Sequence, residues 1–295
     1  MKTCCDRRLV FSCLLILSIG LPGMISMAQT DDAVAEVDDA DEKRERPVLQ
    51  DIPPEQFDKG LVETDLSLPT PPELFDALAK QSNIRWRAFC RDPLTHTLAD
   101  RSKAAVWLGA RITDTFLAME ARDTQQVRNL SKDIQAYARV LGVGEKTEGR
   151  IIRLDTFAEE QAWPGARFEL EALQTELASN LRAMRDKDQA DLVLIGVWLR
   201  TLEISTLIVN TKDFDDMVAC VGGIGLIDQL LDRLEGLSEG LQEDLTVEAA
   251  LSQLGRVSRI WKAKKVLSGR MYGDEEVKET HTRIASVLNN FVRKP

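Results

Sequence analysis

QADLVLIGVWLRTLEISTLIV, residues 189–209, is the most informative stretch of the chain. Its apolar residues occupy nearly every direction around a helix rather than one stripe, the pattern of a helix buried by several neighbours. Its length also fits a membrane span. Asp191, Arg200 and Glu203 argue against that, because charges inside a span cost about 2.5–3.5 kcal/mol each on insertion scales. The segment therefore reads as the central helix of a soluble bundle. A charge buried in such a helix must be paired. Arg200 and Glu203 share a stripe with Gln189 and Gly196, which leaves two readings. One is a buried ion-pair network reaching Arg111 and Asp114. The other is a polar groove that takes a ligand carboxylate or sugar, with Trp107 or Trp198 as its wall. The network is the favoured reading.

Val197-Trp198-Leu199, inside this helix, has a counterpart 91 positions earlier in Val106-Trp107-Leu108. The earlier copy lies in a helix expected from Leu98 to about Ala121, with Thr97 and Asp100 at its start. Leu98, Ala105, Leu108, Gly109, Ile112, Phe116 and Met119 fall on one broad face of it. Asp100, Lys103, Arg111, Asp114 and Arg122 fall on the other. Thr70 with Glu73 frames Pro71-Pro72 as a capping box, opening a short helix to about Gln81. Asp123 opens another helix, which Gly142 ends. Further helices are expected at about 145–162, 165–187, 214–235, 246–266 and 274–292, the last two with Thr246 and Asp274 as N-caps. The fold class is all-α, a multi-helix bundle spanning residues 70–295. The Val-Trp-Leu match raises the alternative of two tandem four-helix units, with pseudo-repeats 98–187 and 189–292; chance similarity in a helical chain is the competing account.

The N-terminus has a different composition. Lys2, Arg7 and Arg8 precede an uncharged run from Leu9 to Ile25, and Ser26-Met27-Ala28 supplies small residues for cleavage. Residues 1–28 thus read as a signal peptide, directing the chain to the periplasm or out of the cell. Cys13 precedes the main apolar run, which excludes a lipoprotein signal. Residues 29–69, crowded with Asp and Glu and punctuated by Pro47, Pro53, Pro54 and Pro69, read as a disordered acidic linker.

The net charge of the chain is −10. Loss of the leader removes a net +2 and leaves a still more acidic protein. This balance excludes nucleic acid as a partner, since binding it rests on neutralising phosphates with Lys and Arg. No membrane span is expected after signal cleavage. Cleavage also leaves two cysteines, Cys90 and Cys220, which form either one disulfide or two buried thiols.

Few groups remain for chemistry. With only His96 and His281, preceded three residues earlier by Pro93 and Lys278, no Glu-x-x-His di-iron pair exists. There is no His-Glu-x-x-His, Cys-x-x-Cys or phosphate-cradling glycine loop at Gly142-Val-Gly144 or Gly222-Gly223-Ile-Gly225. No metal, cofactor or catalytic residue is assigned. Arg256, Arg259, Lys262, Lys264, Lys265 and Arg270 surround Trp261 but spread around their helix, as solvated charges do.

The pattern DRSKAAVWLGARITDTFLAMEARD…VRNLSKDIQAYARVLGVGEK (residues 100–146) resembles exported all-helical bacterial proteins to which no activity is attached. The resemblance implies export and an α fold and carries over no functional residue. The expected role is non-enzymatic binding of an envelope protein or a small ligand. A carboxylate-dependent hydrolase acting on envelope glycan and a purely structural envelope protein are the alternatives.

Overall fold

Helix starts and stops follow local chemistry. Helix α1 (Pro71–Gln81) opens on the Thr70–Glu73 capping box, and a 3₁₀ turn follows at Trp86–Phe89. Next come α2 (Arg101–Glu120), α3 (Thr124–Val140), α4 (Gly144–Glu159), α5 (Trp163–Ala183) and α6 (Lys187–Thr211). The last four are α7 (Gly223–Glu235), α8 (Glu239–Gln242), α9 (Leu245–Ser268) and α10 (Asp274–Val292). The structure, a computed structural model, describes residues 70–91, 98–211, 223–268 and 273–292. All of these lie in the unit Phe57–Pro295. The expected signal peptide and acidic linker, and with them His96, Cys220, Gly222 and Arg270, lie outside the described residues. Among the described residues there is no strand, and the protein is an all-α multi-helix bundle.

Several expected boundaries move. The side chain that caps α2 is Asp100, which accepts from the Lys103 N–H, so the helix starts at Arg101 rather than Leu98. Asp244, not Thr246, caps α9: its carboxylate accepts from the N–H groups of Thr246 and Val247. The four turns from α2 to α6 share one construction. Arg122, Gly142, Gln161 and Arg185 each take a positive φ, 51°, 83°, 56° and 62° in turn. At each, the next residue's N–H reaches back to a carbonyl five positions earlier, as Asp123 does to Ala118 and Asp186 to Leu181. These are Schellman closures, and only one of the four uses the glycine that suits the left-handed conformation.

Helices α2 and α6 form the core. Every residue of α2 from Ala104 to Met119 is buried. The polar face of this helix is therefore covered as well between Ala104 and Met119, and Arg111 and Asp114 are interior groups. Helix α6 is long and apolar enough to cross a membrane by composition, but most of its apolar window is buried inside the bundle. The two helices run in the same direction. Val106 meets Gly196, Gly109 meets Val193 and Val197, and Thr113 meets Val197 and Thr201. A Cβ at Gly109 would lie 2.0 Å from the Val193 carbonyl oxygen, and one at Gly196 would lie 1.9 Å from that of Val106. The backbones thus touch at two glycines that exchange the same contact. Their spacing is 87 positions, one helical turn away from the register of the Val-Trp-Leu match. The difference shows in the tryptophans: Trp107 is fully buried, whereas Trp198 is half-buried.

The remaining helices close around this pair. Helices α2, α3, α4 and α5 pack in sequence, with α5 returning to α2; α6, α7, α9 and α10 do likewise, with α10 returning to α6. Helix α5 also touches α6, and α10 touches α2. Helix α1 lies against α6 and is pinned to α5 by Arg167, which makes a forked pair with Asp76 at 3.1 and 3.3 Å.

Candidate functional site

Two polar assemblies stand out, one interior and one at the surface. In the interior, Arg200 is the hub. Its Nε donates to Asp114 Oδ1 at 2.6 Å, its Nη1 to Glu203 Oε2 at 2.6 Å and its Nη2 to the Phe89 carbonyl at 2.7 Å. Arg111 Nη1 donates to the other Asp114 oxygen at 2.9 Å, and its Nε lies 3.4 Å from Asp133. Arg91, just after the 3₁₀ turn, pairs with Glu203. The guanidinium groups of Arg111 and Arg91 lie 4.7 and 5.6 Å from the centre of the Trp107 ring, a cation–π arrangement. Of the residues singled out from sequence, Arg111, Asp114, Arg200, Glu203 and Trp107 thus come together. Trp198 packs against the core and takes no part in these contacts. Arg91, Asp133 and the Phe89 carbonyl complete the set without any sequence signal beyond their type.

Three guanidinium groups face three carboxylates, so the assembly is balanced in charge. Burial works against ionised Glu203, but Arg200 and Arg91 hold its carboxyl below the ordinary value. Burial likewise opposes the Arg200 charge, and Asp114 and Glu203 hold it in place. Cys90 borders the network as a half-buried thiol with no disulfide mate among the described residues. Burial and then the Asp114 charge push its pKa up, which makes it a poor nucleophile. Its expected mate, Cys220, lies outside the described residues. A cavity of about 260 Å³ adjoins the network, lined by Arg91, Arg111, Gln126, Asn129, Lys132 and Asp133. Its two arginines already hold carboxylates.

The surface assembly is a groove where the end of α2, the start of α5 and α1 meet. Two adjoining depressions of about 350 and 450 Å³ share Phe116, Arg167 and Glu171. The first is walled by Met119, Trp163, Pro164 and Phe168 and rimmed by Glu120 and Arg122. The second runs along Thr70, Pro72, Glu73 and Asp76 of α1 and its cap. Phe168 is 65% exposed, which for a phenylalanine is unusual. Charge here is unbalanced. Arg167 spans Asp76 and Glu120, Glu73 is engaged in the α1 capping box, and the Glu171 carboxylate makes no hydrogen bond or ion pair among the described residues. Desolvation raises the Glu120 carboxyl above its ordinary value, with Asp76 adding to the rise and Arg167 opposing it. Glu171 rises for the same reason, with Arg167 opposing and Asp76 and Glu73 adding.

Among the described residues, no group of three or more His, Cys, Asp or Glu side chains is placed to hold a metal ion. The groove carboxylates, although four in number, therefore form no chelating arrangement. No protein-family model, curated protein or solved structure shows significant similarity to the chain. The groove has little signature in the sequence. Its one local signal is Trp163-Pro-Gly-Ala-Arg-Phe168, two aromatics and an arginine at a helix start, where the course of α2 and α1 decides what is covered.

Proposed function

We propose that this chain is an exported, non-enzymatic binding protein of the bacterial cell envelope, with the α1–α2–α5 groove as its binding surface. The observation that carries the reading is the set of part-exposed aromatic walls, Trp163 and Phe168, beside charged groups that are not fully paired. Large apolar surface left in water, rimmed by polar groups, marks interaction sites. The cavity beside the interior network is smaller and has no aromatic wall, and its two arginines already hold carboxylates. Export rests on the leader-like composition of residues 1–28.

The hydrolase alternative has one observation in its favour, the raised Glu120 carboxyl beside Asp76. A glycosidase needs the space between its two carboxylates for the scissile bond and, in inverting enzymes, a water. Here the Arg167 guanidinium fills that space. Binding is therefore the better-supported role. The test is capture of partners from envelope extract by the purified chain and by its Phe168→Glu variant. One partner, recovered with the parent chain and lost with the variant, supports the reading; identical recovery with both, or none with either, refutes it. Fractionation of the producing cells tests export, and retention in the cytoplasm refutes it.

A further inference from the structure

We infer that the groove's ligand is a basic, apolar peptide segment of a partner protein, one that places a Lys or Arg among Glu120, Glu171 and Asp76 and an adjacent apolar side chain on Trp163 and Phe168. The inference rests on the binding role proposed above and names its ligand class.

Charge and shape point the same way. The charged groups facing the groove are Glu73 and Asp76 from α1, Glu120 and Arg122 from α2 and its turn, and Arg167 and Glu171 from α5. Four carboxylates thus face two guanidinium groups. Arg167 is already used up by Asp76, Glu120 and the Pro72 carbonyl. An anionic ligand finds no free donor there apart from the exposed Arg122, and it meets a surplus of negative charge. A cation finds a Glu171 carboxylate with no hydrogen bond or ion pair among the described residues, reached by Arg167 only through space, and Glu120 held only by a 3.4 Å contact. Aromatic faces attract an ammonium or guanidinium group as well as an apolar one, so Trp163 and Phe168 suit a chain that carries both. A bare metal ion does not fit, because the carboxylates do not converge. The second depression continues along α1 past Gln174 and Thr175. The two together accommodate several residues of extended chain better than one small molecule.

Burial raises the Glu120 and Glu171 carboxyls above their ordinary values, with Arg167 opposing and Asp76 adding to the rise in both. A bound cation favours their ionised forms, so binding in the range where they titrate releases protons. Acidification then weakens binding.

The test uses the full exported chain and fluorescein-labelled peptides of equal length: one alternating Lys with Leu and Phe, one with Ser in place of Lys, and one with Glu. Anisotropy should show the Lys peptide binding about tenfold tighter than the Ser peptide, or better, with no binding of the Glu peptide. Glu171→Gln and Phe168→Ala, both at exposed positions, should each weaken it severalfold with unchanged melting. Calorimetry in two buffers of different ionisation enthalpy should show proton release that grows as the pH is lowered from neutrality. Equal binding of the Lys and Ser peptides overturns the ligand class while leaving an apolar binding groove intact. Preference for the Glu peptide also overturns the class. Spermidine competing as well as the Lys peptide overturns the peptide assignment. Failure of all three peptides overturns this inference, whereas the binding role itself stands or falls on the capture experiment.

Discussion

Replacing Gly109 with Ala should drive α2 and α6 apart and destabilise the bundle. In an ordinary helix the same change stabilises, because Ala exceeds Gly in helix propensity by about 1 kcal/mol. Here the new methyl would sit 2.0 Å from the Val193 oxygen and 2.6 Å from the Val197 nitrogen. Both are backbone atoms, so no rotamer change relieves the overlap. The nearest approach tolerated by a real Cβ is about 3.0 Å, so the helices must separate locally by about 1 Å. A gap of 0.5–1 Å forfeits roughly a quarter to a half of each dispersion interaction across it, and the interface that loosens is the central one of the bundle. Overpacking a core costs about 1–3 kcal/mol and sometimes more; with backbone as the obstacle we expect the upper end, about 3 kcal/mol net. For a domain of this size that lowers Tm by about 6–12 °C. Gly196→Ala should match it, since its methyl would meet the Val106 oxygen at 1.9 Å. The double variant should cost less than the sum, because one separation relieves both clashes. Gly255→Ala on α9 is the control: nothing lies within 4 Å of its Cβ position, so it should gain about 0.5–1 kcal/mol. Urea unfolding followed by far-UV circular dichroism measures all four. A neutral or stabilising effect at Gly109 or Gly196 refutes the close crossing.

The interior network predicts that Asp114→Ala, which takes from Arg111 and Arg200 the carboxylate they share, costs about 3–5 kcal/mol; a double-mutant cycle of Asp114 and Arg200 should give a coupling of about 1 kcal/mol or more, and additivity in urea melts removes the pairing. Stability should depend on pH in two opposite ways. Glu120, Glu171 and Asp133 have raised carboxyls in the folded chain, so the native state holds more protons there and Tm should rise slightly as pH falls from 7 toward about 5. Glu203 and Glu169 are held low by arginines; their contribution, complete above the unfolded value of about 4.3, should vanish as pH drops through the folded one. A Tm that only falls on acidification below neutrality contradicts the first half. Gln161→Gly and Arg185→Gly relax left-handed turn residues at exposed sites and should each stabilise by about 0.5–1 kcal/mol; equal or lower stability by thermal melting argues against those turns.

The central place of residues 189–209 is legible in the sequence because burial on all sides leaves no polar face, and that pattern needs no knowledge of the neighbours. The ion pairs of Arg200 are legible for the same reason: a charge among apolar residues has to find a counter-charge. The face of α2 is not. Arg111 and Asp114 could be offered to Arg200 as partners, but only the presence of the neighbouring helices shows that every residue from Ala104 to Met119 is covered. The Val-Trp-Leu match is conspicuous in sequence because tryptophan is rare, yet the contact register follows the small residues Gly109 and Gly196. Steric exclusion at a helix crossing is set by what is absent from a side chain, and matched large residues say nothing of it. The groove is illegible because its walls come from three segments far apart in the chain, and no one of them is unusual.

The two polar assemblies differ in how completely they are paired, and this difference is what supports the groove as the proposed binding surface. Inside, Arg91, Arg111 and Arg200 meet Asp114, Glu203 and Asp133 one for one. Removing any of them leaves a charge that the low-dielectric interior cannot accommodate. That assembly has no unpaired carboxylate or guanidinium group left over for a ligand. At the groove, Glu73, Asp76, Glu120 and Glu171 share Arg167 and Arg122, and the raised carboxyls of Glu120 and Glu171 reflect the imbalance. Folding alone gains nothing from it, since neutral residues there would avoid it. A ligand that brings positive charge converts the same imbalance into affinity. Variants at Glu171 and Phe168 should therefore change binding and leave stability alone, while variants at Asp114 and Arg200 should do the reverse.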